Sequence, residues 1–127
     1  MPHKMEGVIR PSTLTPLVEI QVSGPHQNSI DCIAILDTGF SGEIILSEHH
    51  INELGLKQIG TDDVELANGE IVELNLYRGN IRWFDKVREV TIGATQSTDA
   101  LVGTLLLHQC TVHLDFPKSK VEITQSS

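Results

Sequence analysis

The sequence predicts a mainly β, barrel-like domain, and three observations carry that prediction. Short runs of Val, Ile and Leu recur along the 127 residues, separated by turns rich in Gly, Pro, Asn and Ser. Several runs alternate apolar and polar residues with period two, the pattern of a half-buried strand. Helix signals are confined to one or two short stretches, so strand and helix do not alternate as a parallel α/β sheet requires. The length suits a single domain, 1–127, with a modest core.

Taken in order, Gly7-Val8-Ile9 is a short strand stopped by Pro11. Leu17-Val18-Glu19-Ile20-Gln21-Val22 alternates, and the Ser23-Gly24-Pro25-His26-Gln27-Asn28-Ser29 stretch after it reads as a turn or loop. Residues 30–36 are almost continuously apolar, which predicts a strand buried on both faces, and 43–46 resume extended structure. Ser47 is placed to cap a short helix through His50, Ile51 and Leu54, with Gly55 as its stop. Alternation on both sides of Asn68-Gly69 predicts a hairpin over 64–74 with a type I′ turn, in which both central residues take positive φ. Two further strands, 77–84 and 88–92, are expected around Asp85-Lys86, then one or two helical turns over 103–108. A closing hairpin is expected from 110–116 and 120–123, with Gln125-Ser126-Ser127 fraying.

Composition narrows the function. The net charge of −8 argues against nucleic acid or an anionic membrane as the main partner. No apolar stretch approaches the roughly 20 residues of a membrane-spanning helix. The N-terminal Met1-Pro2-His3-Lys4-Met5-Glu6-Gly7 lacks an apolar h-region, so no secretory signal is expected. Cys32 and Cys110 lie in strand-like segments and read as buried free thiols, which fits a cytoplasmic protein. His49 and His50 are neighbours that point apart on a helix, so they make no metal pair.

The chemistry-bearing feature is Asp37-Thr38-Gly39, carried at the end of the apolar run 32–36 and followed by Phe40-Ser41-Gly42. In isolation an Asp beside Gly is a common turn. After a buried strand, however, the carboxylate must find partners. Phosphoryl transfer from an Asp-x-Gly turn would need a second phosphate loop and metal-binding acids on a doubly wound chain, and no Gly-rich phosphate loop follows a strand here. The remaining chemistry is a carboxylate that shares a water with a second carboxylate, one acting as base and the other as acid. A weak two-fold echo accompanies it, because Ala100-Leu101-Val102-Gly103 is a second apolar run ending in Gly.

Ile35-Leu36-Asp37-Thr38-Gly39-Phe40-Ser41-Gly42, together with Leu101-Val102-Gly103 and the 64–69 hairpin, resembles the prokaryotic single-domain aspartic proteases related to retropepsins. The likeness covers about residues 7 to 124. It implies a closed β-barrel subunit with a flap hairpin, and an endopeptidase whose two Asp37 carboxylates come from the two chains of a homodimer. Asp37 would be catalytic, with Thr38 and Gly39 supporting the loop. Phe40, Ala67, Asn68, Gly69, Val102 and Gly103 would line the flap and cleft. The substrate would be a peptide or protein held extended, with hydrophobic side chains favoured around the cleaved bond, and no metal or organic cofactor is implied. One Asp-Thr-Gly per chain agrees with a two-chain site. The chain departs from relatives after Gly103, where Thr104 and Leu105 stand in place of an acidic residue or Asn. The alternative reading is an inactive peptide-binding or dimerisation module on the same fold.

Overall fold

The computed structural model describes residues 4–66 and 68–126. Its elements are β1 (Lys4–Arg10), β2 (Thr15–Ser23), β3 (Ser29–Leu36), β4 (Ile44–Ser47), α1 (Glu48–Leu54), β5 (Lys57–Glu65), β6 (Ile71–Trp83), β7 (Lys86–Thr95), β8 (Ala100–Val102), β9 (Cys110–Asp115) and β10 (Lys120–Gln125). The protein is therefore mainly β. The strands form one sheet in the order β5-β6-β7-β4-β8-β3-β2-β1-β10-β9. A further pairing of β2 with β6, at Val22–Ile81 and its neighbours, draws the sheet into a partial ring.

The ring has a sealed side. Leu36, Val102, Ile44 and Ile92 stand opposite one another across β3, β8, β4 and β7, and all are buried. They join Ile9, Val18, Ile20, Ile81, Trp83 and Ile123 in the main core, over which α1 lays Ile51 and Leu54. The helix forms where expected. Ser47 Oγ accepts the His50 N–H at 3.2 Å, and Gly55 closes the C-terminus.

Shifted by one residue, Ile35, Leu101, Ile45 and Leu76 occupy the opposite face. There Ile45, Phe40 and Leu74 make a second, smaller cluster with Val64, Val72, Leu76 and Leu101. Two apolar faces explain why the runs at 35–36, 44–46 and 101–102 are continuously apolar. The expectation that β3 is buried on both faces fails toward its start, where Ile33 is 60 % exposed.

Several local expectations are corrected. β6 is a single 13-residue strand that serves both the β5–β6 and the β6–β7 hairpins, where two separate strands were expected. Its distal turn is Phe84-Asp85, with φ of 53° and 62°, the glycine-free pair that takes the type I′ geometry. Burial of Phe84 and its edge-on contact with Trp83, centroids 5.5 Å apart, hold a backbone that a bulky residue rarely adopts. At Asn68-Gly69 only Gly69 has positive φ. The Leu66 N–H donates to Glu70 C=O and the Gly69 N–H to Leu66 C=O, a longer loop with Gly69 left-handed. Residues 104–109 form hydrogen-bonded turns, so α1 is the one helix among the described residues. Gln125 belongs to β10 and the Ser126 N–H donates to Gln109 C=O, so these two residues are held, while Ser127 lies outside the described residues. Cys32 and Cys110 are free but only half-buried. No helix among the described residues is long and apolar enough to cross a membrane.

Candidate active site

β3 and β8 run parallel and side by side, so the residues that follow them, Asp37 and Gly103, emerge at the same end of the sheet. Backbone bonds then stitch the two loops together. The Asp37 N–H donates to Val102 C=O at 2.9 Å and the Gly103 N–H to Glu43 C=O at 2.9 Å. The Thr104 N–H donates to Phe40 C=O at 2.8 Å, reinforced by its hydroxyl at 3.3 Å, and the Leu105 N–H donates to Gly42 C=O at 3.1 Å. Gly103 is needed for this closeness, since a Cβ there would stand 2.2 Å from the Gly42 carbonyl oxygen. Backbone amides of Thr104 and Leu105 therefore tie this loop to the Asp37 turn.

Asp37 itself is half-buried, and its Oδ1 accepts the Gly39 N–H at 2.8 Å. The Phe40 N–H donates back to Asp37 C=O at 3.2 Å, closing the turn. One carboxylate oxygen is thus fixed by the turn, which orients the side chain. Thr38 is exposed on the crest of the turn and Gly39 is half-buried. Phe40 is 4 % exposed and Val102 wholly buried. Phe40 anchors the loop in the second cluster, and Val102 lies in the main core and offers the site its carbonyl.

The β5–β6 hairpin covers the second cluster with Val64, Val72, Leu74 and Leu76. Asn68 and Gly69 are exposed at its tip, and Ala67 lies outside the described residues. On one side of the hairpin is a cavity of about 700 Å³ lined by Ile45, Glu48, Val72, Leu74, Asp99 and Leu101, among others. On the other is a cavity of about 280 Å³ lined by Phe40, Gly42, Asp62, Val64 and Leu74. Asp37 lines neither. Residues 71–75 of β6 pair with β5 on one edge, whereas pairing with β7 begins only at Leu76. Among the described residues the other edge of this segment carries no strand, and it borders the larger cavity.

Sequence reasoning missed Glu43. Its side chain is 13 % exposed, with Oε1 accepting the Thr91 N–H at 3.0 Å and Oε2 lying 3.4 Å from Arg88 Nη2. Its carbonyl also takes the Gly103 N–H, so one residue ties the Asp37 loop to both β7 and β8. The available signal was a charge between Gly42 and the apolar run 44–46, where burial demands partners. No cluster of His, Cys, Asp and Glu suited to a metal occurs among the described residues. No protein-family model and no curated protein matches the chain.

Proposed function

We propose that this protein is an aspartic endopeptidase of retropepsin type, working as a homodimer on a closed-barrel subunit. One observation carries the reading: Asp37 stands at the end of β3 on a turn stitched to 102–105, beside an apolar cleft roofed by a hairpin. A peptide adds a strand along the open edge of β6 at 71–75, and its side chains enter the cavities on either side of Leu74.

A single carboxylate does not hydrolyse an amide efficiently, because the reaction needs a base for water and an acid for the carbonyl oxygen and leaving nitrogen. A two-fold axis beside Asp37 would bring the same residue from a second chain. Two adjacent carboxylates resist double ionisation, so one proton is shared and both roles are filled. The Gly39 amide fixes one Asp37 oxygen and leaves the other for water. The Asp37→Ala variant tests the proposal on a peptide library. Turnover is expected to fall on the order of a thousandfold or more while the fold is retained, and equal cleavage by both proteins would end it.

A second reading has support of its own. The Asp37–Gly39 hydrogen bond is also what a purely structural turn aspartate makes. On that reading the protein is a peptide-binding or dimerisation module, and the same library shows binding without turnover.

A further inference from the structure

The inner face of the hairpin carries one charge that a purely apolar cleft does not explain. Directly opposed residues of antiparallel strands project to the same face. The register Val64–Val72, Asp62–Leu74 and Gly60–Leu76 therefore sets Asp62 on the face that covers Phe40, while Asp63 and Glu73 share the outer face. Asp62, solvent-exposed at the rim, lines the 280 Å³ cavity beside the Asp37 turn with Phe40, Gly42, Val64, Leu74 and Leu76, and Asp63 also borders it.

No Lys, Arg or His lines this cavity. Asp62 accepts the Asp63 N–H at 2.9 Å and forms no ion pair among the described residues. Of the other two carboxylates lining it, Glu43 is already engaged by Arg88 and Thr91, and Asp63 forms no ion pair among the described residues. An apolar floor with two carboxylates at its rim, Asp62 and Asp63, neither in an ion pair among the described residues, matches a side chain with a long aliphatic stem and a cationic tip.

We propose that this cavity receives a Lys or Arg side chain of the peptide substrate, with its stem along Val64, Leu74 and Leu76 and its charge on Asp62. The inference rests on the reading of the hairpin-roofed cleft as a peptide site. It changes the expected specificity from wholly hydrophobic to basic at one position, and it disfavours Asp or Glu there. The chain's net charge of −8 adds attraction for cationic peptides at long range.

The experiment uses the Asp37→Asn protein, whose side-chain oxygen still accepts from Gly39. Labelled octapeptides with an apolar centre are titrated by fluorescence anisotropy, with a single Lys walked along the sequence and each peptide matched to its norleucine twin. At one position Lys is expected to bind about fivefold tighter than norleucine, the upper range for an exposed ion pair. Adding Asp62→Asn erases that preference, and adding Asp99→Asn, in the neighbouring cavity, leaves it. Equal affinities of the twins at every position would overturn the pocket, as would a preference that survives Asp62→Asn. Turnover by the wild-type protein separates the two proposals. Cleavage without a Lys preference removes the pocket and keeps the protease, and a Lys preference without cleavage does the reverse. Failure of every peptide to bind removes both.

Discussion

The two apolar faces of the sheet have different fates. Toward the main core, Val102, Ile44 and Ile92 are each 0 % exposed and packed by strands from all around the ring and by α1. Toward the hairpin, Ile45 and Leu74 are buried but Leu101 and Leu76 only half so, and two cavities open beside them. The same strands thus present one sealed face and one open face, the latter being where the proposed peptide would lie. A residue's effect on folding or on binding depends on which side of the strand it occupies, and this changes at every step along the chain.

Paired truncations break or sharpen that contrast. Ile92→Ala, on the sealed face, is expected to cost about 2–5 kcal/mol in urea unfolding, because the cavity it leaves cannot collapse. Leu74→Ala, on the open face, is expected to cost less than half of that while weakening peptide binding severalfold. Equal stability losses with unchanged binding would erase the distinction between the faces.

Glu43→Gln comes next in size. It keeps the shape and the acceptor for Thr91 but loses the charge that meets Arg88. A loss of about 1 kcal/mol is expected from this partly buried pair, with a larger proportional fall in turnover, because the bond positions the Asp37 loop. A fall in stability with turnover untouched would show that the loop does not depend on it.

The smallest effect concerns Cys32, packed at the margin of the main core. Burial, followed by the charges of Asp31 and Glu19, pushes the Cys32 pKa up to about 11 from 9.0. The folded protein keeps its proton where the unfolded chain gives it up. The contribution is therefore fully present below pH 9 and declines as pH rises toward 11. Chemical unfolding across that window is expected to show a shallower decline for Cys32→Ala than for the wild type, and parallel curves would contradict the assignment.

Much of this was legible in the chain. The period-two runs gave most strands, Ser47 and Gly55 bounded the helix, and Asp37 and Gly103 marked the two strand ends that meet. What escaped depends on residues distant in sequence. Phe84 takes a left-handed turn because its ring is buried against Trp83, whereas Asn68-Gly69 had the better local signature and adopts a different loop. Ile33 reads as buried from its apolar neighbours, yet it is 60 % exposed, because which face of a strand is covered depends on elements distant in sequence. Glu43 looks like a surface acid until the fold sets it under the Asp37 loop, and Asp62, which does stay exposed, gains its place at a cavity rim only through the β5–β6 register.

The central claim is that Asp37 acts only beside a second Asp37, and subunit mixing tests it most directly. Wild-type and Asp37→Asn proteins are combined in equal amounts at constant total concentration, allowed to exchange subunits, and assayed on a cleaved peptide. A site shared between two chains predicts about one quarter of the wild-type rate, because only that share of dimers carries both carboxylates. A rate near one half would mean that each chain works by itself, and would contradict the account.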